Sequence, residues 1–574
     1  MPGDPTRPAP HDPSVGHEDE FRLQVTRPER HVKAPPCQAG CPAGGDVRGW
    51  LGIFAQREKL GLSEEEARLG AWNVLAARNP MPATTGRVCP HPCESACNRG
   101  DHDGPVSINA LERFVGDWSL ERGVSLPREN DHSHPESIGV VGSGPAGLSF
   151  AYQMARRGYP VTVYEKHDRP GGMLTYGIPE YRLPAAVVDA EIERIFDLGI
   201  RLELGVAVGS DVSVEELHRR HAVVFLGIGA QRGRLLQIDG ESGPGVWGGT
   251  AYLELVNSGR PVSLGSRVVV VGGGNTAIDA ARTARRAGAE VTLIYRRTRQ
   301  EMPAISDEVD DALVEGVVIE YLTAPVAIVR SGSDQDAAVR AVRVQAMQLG
   351  APDAGGRRSP VPVPGAFREI CADSVIAAVS QEPDWTGLEN VERSLGASAA
   401  SPDAWIDRDL LAGGDVLGLG LVSLALGHGR AAAEAVHARL RGLAPPAPSV
   451  AAGISSDRIK ADCYEGSAPL VIAKLPAGER LEQPEREIAD TIDDADFARE
   501  AMRCFSCGSC FGCQRCSMYC NVGGFTRLAA TQPGAYFALA LDRCEGCGKC
   551  IELCPCGFLD KSIAERPTEC GSTR

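Results

Sequence analysis

The chain is 574 residues long, too many for one hydrophobic core, and its length points to about three or four domains. Acidic residues outnumber basic ones, 75 Asp+Glu against 59 Lys+Arg for a formal net charge of -16, which argues against nonspecific nucleic-acid binding. No apolar run approaches the length of a membrane span, and Met1–Glu20, rich in Pro, His and Asp, has the core of neither a signal peptide nor an anchor, so a cytoplasmic protein with a flexible leader is expected.

Nineteen cysteines in a long chain without a secretion signal suggest metal rather than disulfides. Five lie between Cys37 and Cys97 and twelve between Cys504 and Cys570; Cys371 and Cys463, in between, read as ordinary residues.

The first cysteine region runs from about Arg30 to Leu126. Cys37-x3-Cys41-Pro42 opens it, and Ser63 with Glu66 forms a capping box for a helix expected to run through Ala76. After the Asn79-Pro80-Met81-Pro82 turn come Cys89, Cys93 and Cys97 in a Pro-rich loop. Thiolates three or four residues apart on such a loop can converge on one metal centre, an iron-sulfur cluster or, as the plainer alternative, zinc. The segment Cys37 to Phe114, with Gly86-Arg87-Val88-Cys89-Pro90 and Leu111-Glu112-Arg113-Phe114, resembles the N-terminal iron-sulfur domain shared by the small subunit of NADPH-dependent glutamate synthase and by dihydropyrimidine dehydrogenase. Those relatives hold two [4Fe-4S] clusters there, but the CxxC that should precede Cys37 is missing. By position, Cys41, Cys89 and Cys93 match one cluster's thiolates, Glu112 falls where the family can use a non-cysteine ligand, and Cys37 and Cys97 match remnants of the other. The resemblance therefore implies one N-terminal cluster, its fourth ligand either Glu112 or a spare cysteine.

Ile138-Gly139-Val140-Val141 then runs as an apolar strand into Gly142-Ser143-Gly144-Pro145-Ala146-Gly147, a GxGxxG turn followed by a helix over Leu148 to Arg157. Gly142 permits the tight turn, Gly144 lets backbone N–H groups approach a pyrophosphate, and Gly147 lets helix and strand pack closely. The next strand, Val161-Thr162-Val163-Tyr164, ends on Glu165, placed to hold a ribose hydroxyl. A Gly- and Pro-punctuated loop with Gly171-Gly172-Met173-Leu174 and Tyr176-Gly177-Ile178-Pro179 is long enough to border a ligand. Val223-Val224-Phe225-Leu226 delivers Gly227-Ile228-Gly229-Ala230, which suits either a cofactor's approach or a plain tight turn.

A second fingerprint follows. Arg267-Val268-Val269-Val270-Val271 leads into Gly272-Gly273-Gly274-Asn275-Thr276-Ala277, a helix to Ala287, and the strand Val291–Tyr295. Two such units mean two dinucleotides. Glu165 suits the unmodified ribose of FAD, whereas Arg296 and Arg297 suit a 2′-phosphate, favouring NADP(H) over NAD(H); the alternative is a solvated strand end. Ser374–Gln381 and Leu411-Ala412-Gly413-Gly414-Asp415, before a helix beginning near Val422, look like the chain returning to its first domain, with Asp415 placed to bind a ribityl chain and the helix N-terminus facing the flavin. These runs, with Glu301-Met302-Pro303-Ala304, resemble the glutamate synthase small-subunit family over roughly Arg30 to Arg441. The family implies FAD at the first fingerprint and NADPH at the second. Ser380 departs from it, standing where the family usually has Gly.

Gly442 to Asp493 reads as a linker or strap. Beyond it, Cys510, Cys513, Cys516 and Cys520 recur 34 residues later as Cys544, Cys547, Cys550 and Cys554. Each copy is a CxxCxxCxxxC run, in which three thiolates bind one [4Fe-4S] cluster and the fourth binds its twin. Cys510, Cys513, Cys516 and Cys554 are thus expected on one cluster and Cys544, Cys547, Cys550 and Cys520 on the other, with Cys504 and Cys507 either structural or part of a further centre. This tail looks like that of the NAD(P)H:acceptor oxidoreductase that accompanies dissimilatory sulfite reductase.

The expected fold is α/β: two Rossmann-type dinucleotide-binding domains, one inserted in the other, flanked by an α-helical N-terminal iron-sulfur domain and a C-terminal two-cluster ferredoxin-like domain. The boundaries are a leader at 1–29, the iron-sulfur domain at 30–135, the FAD domain at 136–260 and 405–445, the NAD(P)H domain at 261–404, a linker at 446–500 and the ferredoxin-like domain at 501–574. The expected activity is hydride exchange between NAD(P)H and FAD, with single electrons passing through the clusters to or from a redox partner protein or ferredoxin. No side-chain acid or base is called for, and a homodimer stays open. A glutamate synthase small subunit and a non-catalytic iron-sulfur scaffold are the competing readings.

Overall fold

The computed structural model describes residues 24–30, 33–332, 337–353, 356–398, 405–444 and 453–565. Met1–Glu20 and Cys570 lie outside the described residues.

Two parallel sheets form the centre. The first runs in the order Trp405–Asp407, Leu410–Ala412, Val223–Leu226, Ile138–Val141, Val161–Glu165, Arg201–Leu204, parallel throughout except for the hairpin at the Trp405–Asp407 edge. Ile138–Val141 is buried at every position because helices cover both faces, as apolar parallel strands require. It pairs Ile138 with Val161 on one side and with Val223 on the other, so chain order reverses around it and a crevice opens at its carboxyl end, where the glycine turn sits. The following helix, Pro145–Ala155, is buried at all but its first position, since Val422–Arg441 packs along it.

The second sheet runs Val318–Tyr321, Glu290–Tyr295, Arg267–Val271, Ser374–Ala377, Val246–Gly248, all parallel. An antiparallel sheet of Thr323–Arg330, Val339–Pro352 and Arg358–Cys371, which the sequence reading did not anticipate, packs Val342 and Val344 against Val269 and Val271. The boundaries differ from those expected at 261 and 404. Val246–Gly248 pairs with Ser374–Ala377, and Tyr252 and Leu253 belong to the second core, while Leu388 and Leu395 pack with Val141 and Tyr164 of the first. The chain crosses between the lobes where Arg232–Gly233 pairs with Gln381–Glu382.

The N-terminal helices share one core with the first lobe. Ser63 caps Glu64–Ala76 through the expected box: its hydroxyl accepts from Glu66 N–H at 3.3 Å, and Glu66 accepts from Ser63 N–H at 2.8 Å. The stretch read as a linker or strap is, over the described residues 453–500, a bolted strap. Phe497 of Asp494–Met502 stacks on Phe114 at 4.2 Å and meets Phe54 at 4.6 Å, edge on. Farther back, Lys474 and Arg480 pair with Asp311 at 3.0 Å each, and Glu487 takes Arg87 and Arg113 at 2.9 and 3.0 Å. Polar composition conceals this because the strap is held by ion pairs to buried partners. The expected leader is also shortened: Gln24–Arg30 forms an antiparallel ladder with Leu559–Glu565. Among the described residues, no helix is long and apolar enough to cross a membrane.

Candidate functional site

The first glycine turn opens on a cavity lined by Gly142, Gly144, Pro145, Ala146, Glu165, Gly172, Met173, Gly229 and Asp415. The glycines divide by what a side chain would meet. A Cβ on Gly147 would stand 2.0 Å from the Gly142 carbonyl oxygen, so Gly147 sits behind the wall and permits helix-strand contact; one on Gly144 would meet nothing within 4 Å and would project into open space. Gly142, at φ +90°, makes the turn against the Gly227 carbonyl. Gly414 also stands behind the wall, against Ala146.

Glu165 is buried and held in place. Its Oε2 accepts from Ser143 N–H at 2.9 Å and Ser143 Oγ–H at 2.6 Å, and its Oε1 accepts from His167 N–H at 3.0 Å. A carboxylate has further lone pairs, so a ribose pair of hydroxyls fits the same group. Opposite, Asp415 Oδ1 accepts from Gly420 N–H at 3.0 Å, and burial raises its carboxyl pKa. His428 Nδ1 accepts from Gly414 N–H at 3.2 Å, which fixes the glycine turn, while burial holds the imidazole below its ordinary pKa. Its part is structural.

The second turn lines another cavity with Gly272, Gly274, Asn275, Thr276, Arg296 and Arg297; Ala277 lies in the core behind it. The two arginines separate. Arg296 is exposed, whereas Arg297 is buried under the antiparallel sheet, its Nε donating to the Arg358 carbonyl at 2.8 Å and its guanidinium 3.4 Å from Asp353. Arg297 therefore holds the hairpin, a correction to its expected equivalence with Arg296 that no local pattern reveals. Arg234 and Arg357, which the sequence reading missed because they sit far from the strand end, keep the cavity basic. Ser380 stays outside the left-handed backbone region that would demand glycine.

The two cavities share a wall of Asn275, Thr276, Gln381, Asp415, Gly420 and Leu421. Gln381 Nε2 donates to Thr276 Oγ1 at 2.7 Å across the lobe boundary. The loop Tyr176–Pro184 is tied to the second lobe by a buried network: Arg182 pairs with Asp279 at 2.7 Å and Glu308 at 3.1 Å, and Tyr181 lies under Arg286, whose charge is 3.9 Å from the ring centre.

The cysteines gather in four sets. Cys41, Cys89 and Cys93 face Glu112, whose Oε1 accepts from Asn79 at 2.7 Å and Thr85 at 2.9 Å. Cys510, Cys513, Cys516 and Cys554 surround one hollow, and Cys544, Cys547, Cys550 and Cys520 face one another in a second group. Cys37 and Cys97 line a separate hollow with Cys504 and Cys507. Burial pushes the Cys89 thiol up to about 11 and the Cys516 thiol up to about 12, so these two are neutral until a cation displaces their protons. Cys554 moves the other way, drawn down to about 6 by the Cys556 thiol 3.9 Å away, a residue outside the repeat and missed for that reason. Among the described residues, no group of three or more His, Cys, Asp or Glu side chains stands at the spacing of a single bound metal ion.

The sequence profile of the pyridine nucleotide-disulphide oxidoreductase family matches residues 136–429, and that of dihydropyrimidine dehydrogenase domain II, 4Fe-4S cluster, matches residues 24–124. The chain is 39% identical over 356 residues to the NADPH-Fe(3+) oxidoreductase subunit beta of Geobacter sulfurreducens, covering 61% of this chain and 51% of that one. It is 38% identical over 437 residues to the NADP(+)-dependent formate dehydrogenase subunit beta of Moorella thermoacetica, covering 71% and 60%. To the glutamate synthase [NADPH] small chain of Azospirillum brasilense it is 33% identical over 451 residues, covering 73% and 89%. The chain thus spans about half the length of the first relative and most of the third.

Proposed function

The chain belongs to the glutamate synthase small-chain family of pyridine nucleotide-disulphide oxidoreductases, and from that premise we propose that it is an iron-sulfur flavoprotein exchanging electrons between NADPH and a partner redox protein. The observation that carries this reading is the common wall of the two cavities, together with the reach of the first to Val88, beside Cys89. A nicotinamide held at the second turn and a flavin held at the first would meet at that wall, and electrons leaving the flavin would find a cysteine set next to it.

Glu165 would hold the ribose of FAD, Gly144 would leave room for the pyrophosphate, and Asp415 would take the ribityl chain. The open N-terminal turns of Pro145–Ala155 and Asn275–Arg286 would each face a phosphate with positive dipole ends. When bound, the flavin supplies the conversion of a hydride from nicotinamide into single electrons. Cys41, Cys89, Cys93 and Glu112 would hold the N-terminal cluster, and the eight tail cysteines two more. Arg296 would mark the 2′-phosphate.

The partner would dock at the tail, where Cys547 is exposed. On the tail's resemblance, an enzyme of the dissimilatory sulfite reductase class is the partner proposed. The described cysteines are free thiols, which suits the reducing cytoplasm. The second reading, a glutamate synthase small subunit, is supported by the 89% coverage of such a relative; co-purification with a glutaminase-containing large subunit would favour it.

The test is an anaerobic absorbance titration with NADPH and, in parallel, NADH. Rapid flavin bleaching by NADPH followed by cluster reduction is expected. A chain that contains FAD yet bleaches with neither nucleotide would count against the proposal.

A further inference from the structure

The family resemblance leaves Cys37 and Cys97 as half of a ligand set, and nothing near them in sequence supplies the rest. The fold does. Cys504 and Cys507, more than four hundred residues further on, line the same hollow. We propose that Cys37, Cys97, Cys504 and Cys507 form a fourth [4Fe-4S] site, completed across the molecule by a CxxC that has moved from before Cys37 to the start of the tail.

Three observations support it. The segment carrying the pair is locked in place. Arg99 is buried, pairs with Asp103 at 2.6 Å and donates to the Arg503 carbonyl; Arg503 pairs with the same Asp103 at 3.1 Å and with Glu500 at 2.7 Å; Glu500 in turn accepts from Ser107 N–H at 2.8 Å. Such buried, multiply bonded guanidinium groups hold a loop far more firmly than an exposed ion pair.

The backbone between the cysteines has the shape used at the tail clusters. Each CxxC there carries a left-handed residue: Gly512, Gln514, Gly546 and Gly548, at φ of +69°, +67°, +78° and +74°. Ser506, between Cys504 and Cys507, does the same at φ +51°, an uncommon conformation for a residue with a Cβ. It turns the Ser506 N–H toward Cys504 Sγ at 3.5 Å, a donor to sulfur.

The surroundings suit a ligated set of anionic thiolates. Asn98 Nδ2 donates toward Cys507 Sγ at 3.5 Å, and Arg48 Nη1 donates to the Cys507 carbonyl at 2.7 Å, bringing positive charge to the rim. Four thiols that would repel one another once ionised are stable together only with a cation between them.

The position also has a purpose. Cys37 is four residues from Cys41 of the neighbouring set, and Tyr464, its ring 4.4 Å from Phe505, has Cys504 and Cys507 as well as Cys554 and Cys556 among its neighbours. The site lies between the N-terminal set beside the first cavity and the tail sets, so its role as a relay rests on the proposed function, while its ligands do not.

Native mass spectrometry of the full-length holoprotein, purified anaerobically, tests the ligands without turnover. Four [4Fe-4S] clusters per chain are expected. C504S/C507S and C37S are each expected to lose one cluster, about four irons, while keeping FAD; C463S loses none. Three clusters in the unaltered chain, zinc in place of a cluster, or a full cluster count in C504S/C507S would overturn the site. Because the unaltered chain is counted as well, a misfolded variant does not protect the proposal. Absence of NADPH-driven bleaching alongside four clusters would strike the proposed function and leave the ligand set standing.

Discussion

Cys89 Sγ lies 3.5 Å from Ser423 Oγ, so an N-terminal thiol touches the first turn of the helix that borders the first cavity. If this set receives electrons from the flavin, C89A will lose about four irons, keep its FAD and still bleach with NADPH, while the tail clusters remain oxidised in EPR spectra. Tail reduction at the normal rate would place the exit elsewhere.

Gly144 and Gly147 make a paired prediction. G147A drives a methyl onto the Gly142 carbonyl and should lower the thermal midpoint of the flavin-free chain, whereas G144A leaves that midpoint unchanged and reduces FAD content. Equal stability loss in both would remove the distinction between a packing glycine and a binding glycine.

The two arginines of the second cavity should respond differently as well. R296A is expected to raise KM for NADPH about tenfold or more, the loss of one charge-assisted contact, with NADH unaffected. R297A should instead destabilise the hairpin under which it is buried and alter both nucleotides alike.

Arg182 and Asp279 are both buried, so R182A strands a carboxylate in the interface between the lobes. A loss of about 3–5 kcal/mol is expected in denaturant unfolding of the second lobe. R182A/D279N should recover part of it.

Glu191, fully buried in Ala185–Phe196, accepts from Ala83 and Thr84 N–H at 2.8 and 2.9 Å, joining the N-terminal region to the first lobe. Burial outweighs Arg194, 3.7 Å away, and pushes its carboxyl up to about 7. Its folded form therefore holds a proton that the unfolded chain releases near 4.5, and its contribution to stability, complete below that value, is lost as pH rises through about 7. The thermal midpoint of E191Q should show a shallower fall than that of the unaltered chain over this interval.

Much of the centre was legible. Two glycine turns, the Ser63 box and the repeated tail cysteines each lie within a few residues of sequence, where spacing alone fixes what can meet. What escaped depends on long-range return of the chain. Arg297 looked like a strand-end cation until the hairpin around Arg358 covered it, and residues 453–500 could be read as tether or strap alike because their partners, Asp311 and Asp117 among them, are distant. Cys504 and Cys507 carried the right spacing, but spacing could not say whose thiols they face.

The junction of Arg99 with Arg503 has a consequence for how the protein is made. A ribosome adding roughly 5–20 residues per second needs about 20 to 80 seconds to travel the 404 residues between them. Throughout that interval the cysteines of the N-terminal region wait beside an unfilled position, and the first-made part of the chain is among the last to close. On the proposed fourth site, iron held by Cys37 and Cys97 would wait for the end of synthesis, when Gln24–Arg30 can also find Leu559–Glu565. A transcript cut short before Cys504 would keep the cysteine set beside the first cavity but lose every cysteine that could carry electrons on to the tail.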